Sequence, residues 1–94
     1  MSQQHTIGRT STTVATENGF TNVTYHSTVV VKFNHDTIIL NSGGWQTHTT
    51  KTRMNQASNQ FDLGYSVFQK DYQWFVDYNN ETIKFFDAMV LDRI

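Results

Sequence analysis

The chain contains no cysteine among its 94 residues, and this absence excludes three kinds of site. Disulfide scaffolds, zinc sites built on thiolates and cysteine nucleophiles all need a residue that the sequence does not supply. An excess of charge is missing as well, because 7 Lys and Arg stand against 8 Asp and Glu, for a formal net charge of −1. A general nucleic-acid binder is usually basic and a DNA mimic strongly acidic, so any attraction to phosphate must come from a local patch.

Long apolar runs are also missing. None approaches the roughly 20 residues that are needed to span a bilayer. The first residues, Met1 to Thr6, lack the apolar core of a secretory signal. We therefore expect a protein without membrane contact that is located in the cytosol.

Aromatic residues, in contrast, are plentiful: they make up 14% of the chain. Because each ring buries a large area, they can supply a core without disulfides or metal, and we expect one α+β domain over residues 23–94. Residues 1–22 are rich in Thr, Ser and Gln, and we expect this segment to be flexible because it has little apolar area to bury. The alternative is a hairpin, in which the turn signal Glu17-Asn18-Gly19 folds Thr12–Thr16 back onto the next strand.

Alternation of apolar and polar residues predicts the strands. The expected strands are Thr24–Phe33, Thr37–Asn41, Tyr65–Gln69, Tyr72–Tyr78 and Thr82–Phe86. One face of the first carries Tyr25, Val29, Val31 and Phe33. One face of the fourth carries Tyr72, Trp74, Val76 and Tyr78, with Phe75 on the other face.

One helix is predicted over Thr49–Asp62, capped by Thr49 or Thr50. Its apolar stripe consists of Met54, Ala57 and Phe61. Gly64 follows the helix at a position where a residue in the left-handed conformation is expected.

The end of the chain predicts a last helical turn, through Ala88–Leu91, with Asp87 as its cap. The predicted order is therefore ββαβββ. It describes an antiparallel sheet of about five strands with one helix packed across it.

A set of unusual residue combinations resembles a group of short proteins encoded by tailed bacteriophages. The combinations are Gly43-Gly44-Trp45, Thr47, Thr49-Thr50-Lys51, Arg53-Met54-Asn55-Gln56, Gly64-Tyr65, Val67, Gln69-Lys70 and Trp74-Phe75-Val76. The resemblance covers roughly Tyr25 to Leu91 and leaves out the N-terminal segment. It implies a viral gene and an infected bacterial cytoplasm, and it carries over no catalytic residue.

The entrance of the predicted helix is the candidate binding site. Two glycines allow the backbone to approach a ligand closely, and free N–H groups at a helix start favour anions. Hydroxyls, cations, a possible stacking ring and two amides that suit adenine edges stand around them. The candidate residues for phosphate or nucleic-acid binding are Gly43, Gly44, Trp45, Thr47, Thr49, Thr50, Lys51, Arg53, Asn55 and Gln56. The alternative is purely structural: a threonine cap, a sharp glycine turn, a packed indole and a solvated helix face.

A second open question concerns the aromatic residues of the last two hairpins. Tyr65, Phe68, Tyr72, Phe75 and Tyr78 cannot all face inward. Rings on the outer sheet face can stack on bases or anchor a partner protein. Alternatively, the N-terminal segment, a dimer partner or the last helical turn covers them.

Catalysis and metal binding find little support. His26, His35 and His48, even with Asp36, match no known ligand spacing, so we expect no metal and no cofactor. No nucleophile elbow is present, and we expect no enzyme activity.

The leading hypothesis is a small phage accessory module that binds nucleic acid or a phosphate-bearing nucleotide through the helix entrance. The alternatives are a protein-binding inhibitor of a host factor, serving anti-defence or host takeover, and a minor virion component.

Overall fold

A computed structural model describes residues 12–25, 28–44 and 46–93 of the chain. Within these ranges, four strands precede one helix and four strands follow it. The elements are β1 (Thr12–Glu17), β2 (Phe20–Tyr25), β3 (Thr28–Phe33), β4 (Thr37–Leu40), α1 (His48–Phe61), β5 (Tyr65–Lys70), β6 (Gln73–Tyr78), β7 (Glu81–Lys84) and β8 (Met89–Asp92). They form a five-stranded sheet in the order β1-β2-β3-β4-β8 and a three-stranded sheet in the order β5-β6-β7.

The first two strands form the hairpin that the turn signal offered as an alternative. Strand β1 pairs with β2 in antiparallel fashion from Thr12↔Tyr25 to Glu17↔Phe20. The turn residues Asn18 and Gly19 both have positive φ, which is the conformation that Asn-Gly adopts readily in two-residue hairpins. The segment that we expected to be flexible is therefore a paired strand from residue 12 onward, and residues 1–11 lie outside the described residues.

The single strand predicted over Thr24–Phe33 is in fact two strands. Tyr25 pairs with Thr28, so the chain reverses its direction between them. Val30 is an extra residue in β3, because Val31 pairs with Val23 while Val29 pairs with Thr24. This bulge turns Val29 away from the inward face that Val31 keeps, which corrects the predicted face.

The end of the chain is a strand and not the predicted helical turn. In β8, Met89 and Leu91 are buried while Val90 is 56% exposed, and this period of two fits a strand. The pairing of β8 with β4, from Leu40↔Met89 to Thr37↔Asp92, satisfies its backbone. Long-range pairing therefore outweighs the local capping signal.

Asp87, the predicted cap of that turn, has a different role. Its Oδ1 accepts hydrogen bonds from the Ser42 N–H at 2.8 Å and from the Ser42 hydroxyl at 2.7 Å. Asp87 thus joins the loop after β4 to the approach to β8.

The helix lies within one residue of its predicted bounds at each end. Its cap is Thr47, whose hydroxyl oxygen accepts the Thr50 N–H at 3.2 Å, so neither Thr49 nor Thr50 is the cap. Asp62 ends the helix with a φ of 55°.

The apolar stripe of the helix faces the core. Met54 and Ala57 are fully buried, and the Phe61 ring lies 4.9 Å from the Phe33 ring between their centroids. Both sheets and the helix contribute to one hydrophobic core. The structure thus confirms an α+β fold with one helix and antiparallel sheets in the described residues, and it corrects ββαβββ to ββββαββββ with two sheets.

Candidate functional site

The glycine turn before the helix is held by its own neighbours. Gly43 and Gly44 both have positive φ, at 64° and 84°. The Gly43 N–H donates to Asn41 Oδ1 at 2.7 Å, and the Gly44 N–H donates to Ser42 Oγ at 3.2 Å. The two glycine amides that we predicted to face an anion therefore have partners within the loop.

The threonines of the entrance contact one another. Thr50 is buried, and its hydroxyl lies 3.1 Å from the Thr47 hydroxyl. Thr49 and Lys51 are half-buried. Trp45, the predicted stacking ring, lies outside the described residues.

Arg53 reaches toward the N-terminal hairpin. Its Nε donates to Thr12 Oγ1 at 3.1 Å, and its Nη1 donates to Gln56 Oε1 at 3.3 Å. Its guanidinium carbon lies 5.5 Å from the centroid of the Tyr25 ring. Lys51 stands two positions earlier on the helix, and residues at that spacing do not face each other. Arg53 therefore links the helix to β1 and β2, and Gln56 accepts one of its hydrogen bonds.

Asn55 and Ser58 act together as a substitute for a neighbouring strand. Strand β5 is an edge of the three-stranded sheet, and the helix packs beside it. Asn55 Nδ2 donates to the Val67 carbonyl at 2.9 Å, and its Oδ1 accepts the Val67 N–H at 2.7 Å. The Ser58 hydroxyl makes the same pair of bonds with Tyr65, at 2.7 and 3.1 Å. The amide that we assigned to base edges thus satisfies the sheet edge.

The outer face of the three-stranded sheet carries a different set of side chains, which we call the phenylalanine face. Because Tyr65, Val67, Trp74 and Val76 are buried, the alternating residues of the same strands point outward. The phenylalanine face consists of Ser66, Phe68, Lys70, Gln73, Phe75, Asp77, Thr82 and Lys84.

A pair of rings forms the centre of the phenylalanine face. Phe68 and Phe75 are direct cross-strand partners, with ring centroids 5.7 Å apart and planes inclined by 25°. Both rings are half-buried, so a part of each reaches solvent. Part of this ring pair is therefore open to contact with a ligand.

Two cations flank this ring pair. Lys84 is the direct partner of Phe75 on β7, and Lys70 follows Phe68 by two residues on the same side of β5. Both lysines are exposed. The one carboxylate among the residues of this face, Asp77, accepts a hydrogen bond from the Thr82 hydroxyl at 2.6 Å. Rings and ammonium groups side by side suit a ligand with planar and anionic parts.

A shallow polar groove continues the phenylalanine face at one end. Its lining includes Ser66, Asp77 and Thr82 together with the turn residues Asn79 and Asn80. The opposite end of the face is the β5–β6 turn at Asp71 and Tyr72.

The five aromatic residues of these hairpins divide in a way that only the structure shows. Tyr65 is buried, and its hydroxyl donates to the Met54 carbonyl at 2.6 Å, while the Tyr78 hydroxyl donates to the Asp92 carbonyl at 2.9 Å. Tyr72, predicted on a strand face with Trp74, lies in the turn and is 95% exposed. Outward rings were predicted, and alternation placed Phe75 opposite to Trp74, which is the arrangement in the structure.

Metal ligands do not gather in the part of the chain that the structure describes. His35 Nε2 lies 3.2 Å from Asp36 Oδ1 on an open surface, and His26 is outside the described residues. The described helix is too short and too polar to cross a bilayer.

Comparison with known proteins identifies the origin of the chain. No curated protein and no solved structure matches it. A family model described as Kyanoviridae Gp96 protein matches residues 1–92, including the N-terminal segment that the resemblance to phage proteins left out. Since this match spans nearly the whole sequence, the chain belongs to the Kyanoviridae Gp96 protein family, a family of phage proteins.

Proposed function

We propose that this phage protein is a non-enzymatic module that binds single-stranded nucleic acid on the phenylalanine face, in the cytoplasm of the host. The observation that carries the proposal is the stacked pair of Phe68 and Phe75, placed on an outer sheet face between Lys70 and Lys84. Aromatic rings on a sheet with cations beside them are the usual means of holding single strands.

The chemistry of this face predicts a modest and sequence-tolerant affinity. Stacking on an aromatic ring contributes about 1–3 kcal/mol per base and depends little on which base it is. Two lysines neutralise about two phosphates, so the logarithm of the binding constant should fall with the logarithm of salt concentration with a slope of roughly −1.4. Duplex DNA buries its base faces inside its own stack and should bind much more weakly.

The helix entrance is the competing location for the same function. Its residues Arg53 and Asn55 are engaged within the fold, whereas Lys51 has its N–H bonded to the Thr47 carbonyl and its side chain half-exposed. The phenylalanine face is favoured because its rings and lysines lie together on one surface.

The test is a titration of fluorescently labelled single-stranded and duplex oligonucleotides at low salt. Phe68→Leu with Phe75→Leu keeps the apolar cover of the sheet while removing the aromatic surfaces, and we expect it to weaken binding at least about tenfold. Lys84→Ala should weaken binding and reduce the salt slope. Lys51→Ala is the matched control, and it should change neither the affinity nor the salt slope.

Two results would decide against this assignment. Absence of single-strand binding by the wild-type protein at low salt would remove the function. Loss of binding in Lys51→Ala, with the leucine variant unaffected, would move the site to the helix entrance.

A host protein is the second candidate partner, and a separate surface favours it. Phe86 and Val90 are 60% and 56% exposed at the edge formed by β8. Exposed apolar side chains beside a sheet edge suit protein contact. The test is chemical cross-linking of the protein to host proteins in a bacterial lysate. Phe86→Ser with Val90→Ser should abolish a specific cross-link to one host protein while leaving oligonucleotide binding intact.

A further inference from the structure

Among the described residues, three hairpin turns consist of two residues that both have positive φ. The pairs are Asn18-Gly19, Asp71-Tyr72 and Asn79-Asn80. Asn, Asp and Gly are the residues that adopt this left-handed conformation at low cost. Tyr72, with a φ of 65°, is the exception.

The conformation of Tyr72 carries a cost that the fold does not recover by packing. The left-handed region costs an ordinary L-residue roughly 1–2 kcal/mol relative to the right-handed one. Burial of the ring would offset this, but the Tyr72 side chain is 95% exposed. A large ring is thus held in solvent at a position where glycine would stabilise the turn.

The position of Tyr72 connects it to the phenylalanine face. Lys70 pairs with Gln73 next to the β5–β6 turn. Phe68 pairs with Phe75 two residues farther from the turn, on the same face of the sheet. At about 3.3 Å per residue, the turn begins roughly 10 Å from the ring pair. Ring pair, Lys70 and Tyr72 therefore follow one another along a single hairpin.

We infer that Tyr72 is a third stacking residue, which extends the phenylalanine face to the tip of the hairpin and contacts a nucleotide beyond those that stack on Phe68 and Phe75. This inference rests on the proposed function and adds a residue to it. Residues in strained backbone conformations cluster at ligand-contact sites, and Tyr72 is such a residue. A tyrosine ring suits this role because it stacks on any base and has few rotamers to lose.

The test separates stability from binding with one substitution. Tyr72→Gly removes both the ring and the strain, so we expect the melting temperature to rise by roughly 4–8 °C. Affinity for an oligonucleotide of about ten nucleotides should fall at least about fivefold, whereas affinity for a dinucleotide, which reaches only the ring pair, should stay unchanged. Tyr72→Trp keeps a ring and should bind as the wild type does.

The matched control is Asn18→Gly, which changes a left-handed turn residue on the distant β1–β2 hairpin. Asparagine tolerates this conformation, so stability should change little and binding should not change. Full binding of the long oligonucleotide by Tyr72→Gly would overturn the role of Tyr72, while a loss in the Phe68→Leu, Phe75→Leu variant would still uphold the phenylalanine face. Failure of the wild type to bind any oligonucleotide would overturn both the role of Tyr72 and the proposed function.

Discussion

The helix surface and the phenylalanine face reverse the roles that their residue types suggest. The helix displays amides, hydroxyls and a guanidinium, and these groups bond to neighbouring strands through Asn55, Ser58 and Arg53. The phenylalanine face displays aromatic rings, and these point away from the core. These polar helix side chains serve the fold, whereas Phe68 and Phe75 lie on an outer sheet face with part of each ring exposed.

The reason for this reversal is the exposed edge of a small sheet. Each residue carries one backbone donor and one acceptor, and those on the β5 edge have no further strand to pair with in the described residues. A helix packed beside that edge can supply partners only through side chains, and Asn55 and Ser58 supply them at Val67 and Tyr65. Polar residue types on a helix are therefore weak evidence for binding when an unpaired strand lies next to it.

The largest expected effect contrasts two phenylalanine pairs. Phe33→Ala removes a buried ring that packs on Phe61 and should lower the free energy of unfolding by about 3–4 kcal/mol. Phe75→Ala removes a ring from the outer pair and should cost about 1 kcal/mol. Urea denaturation of both variants measures the difference, and equal losses would mean that the phenylalanine face is part of the structural core.

The second effect tests whether the helix amide is structural. Asn55→Ala leaves the Val67 N–H and carbonyl without their partners and should cost about 2–3 kcal/mol. Asn59→Ala changes an exposed residue of the same helix and should stay within about 0.5 kcal/mol of the wild type. If Asn55→Ala proved as mild as its control, Asn55 would return to the list of binding residues.

The third effect concerns the phenol that lies between the helix and β5. Burial raises the pKa of Tyr65 well above its ordinary value of about 10, because the ionised form cannot be solvated there. The unfolded chain therefore ionises first. The stability contribution of the neutral phenol is complete below about pH 10 and falls by about 1.4 kcal/mol for each pH unit above it.

The measurement is urea denaturation between about pH 9 and 11, with Tyr65→Phe as the reference. Phenylalanine cannot donate to Met54, so the variant should be less stable at neutral pH. The free energy of unfolding of this variant should also fall less steeply above about pH 10 than that of the wild type. Parallel pH curves for the two proteins would show that the Tyr65 hydroxyl reaches solvent.

The smallest effect separates the two cations of the helix entrance. Arg53→Ala loses its contacts with Thr12 and the Tyr25 ring and should cost about 1 kcal/mol. Lys51→Ala should remain within about 0.5 kcal/mol of the wild type. A thermal melt resolves this difference, and the opposite order would return Arg53 to the candidate ligand residues.

Local patterns predicted much of this fold correctly. The helix bounds were right to within one residue, because Met54, Ala57 and Phe61 recur at helical spacing. The predicted strands Tyr72–Tyr78 and Thr82–Phe86 left Asn79-Asn80 as a turn, and this was also correct, since these residue types carry their own backbone preference. The Asp71-Tyr72 turn was placed one residue early, because tyrosine does not signal a left-handed position.

The candidate site was harder to predict, because it depends on which face of each helix or strand packs against the rest of the protein and which faces solvent. When the sequence is taken alone, Asn55 is compatible with either an inward or an outward place. Alternation puts Phe75 opposite to Trp74 but does not tell which of the two faces the core. The choice follows from the position of β5 beside the helix and of Trp74 in the core, both of which are set by contacts between distant segments.

Composition and periodicity by themselves determined an aromatic-rich α+β protein with one amphipathic helix. The phage origin was predicted from a resemblance and is supported by the family match. The tertiary structure decided that β8 returns to β4, that two sheets form, and that polar helix residues pair with a strand edge. These outcomes arise because backbone groups and apolar side chains far apart in the chain satisfy one another only once they are brought together.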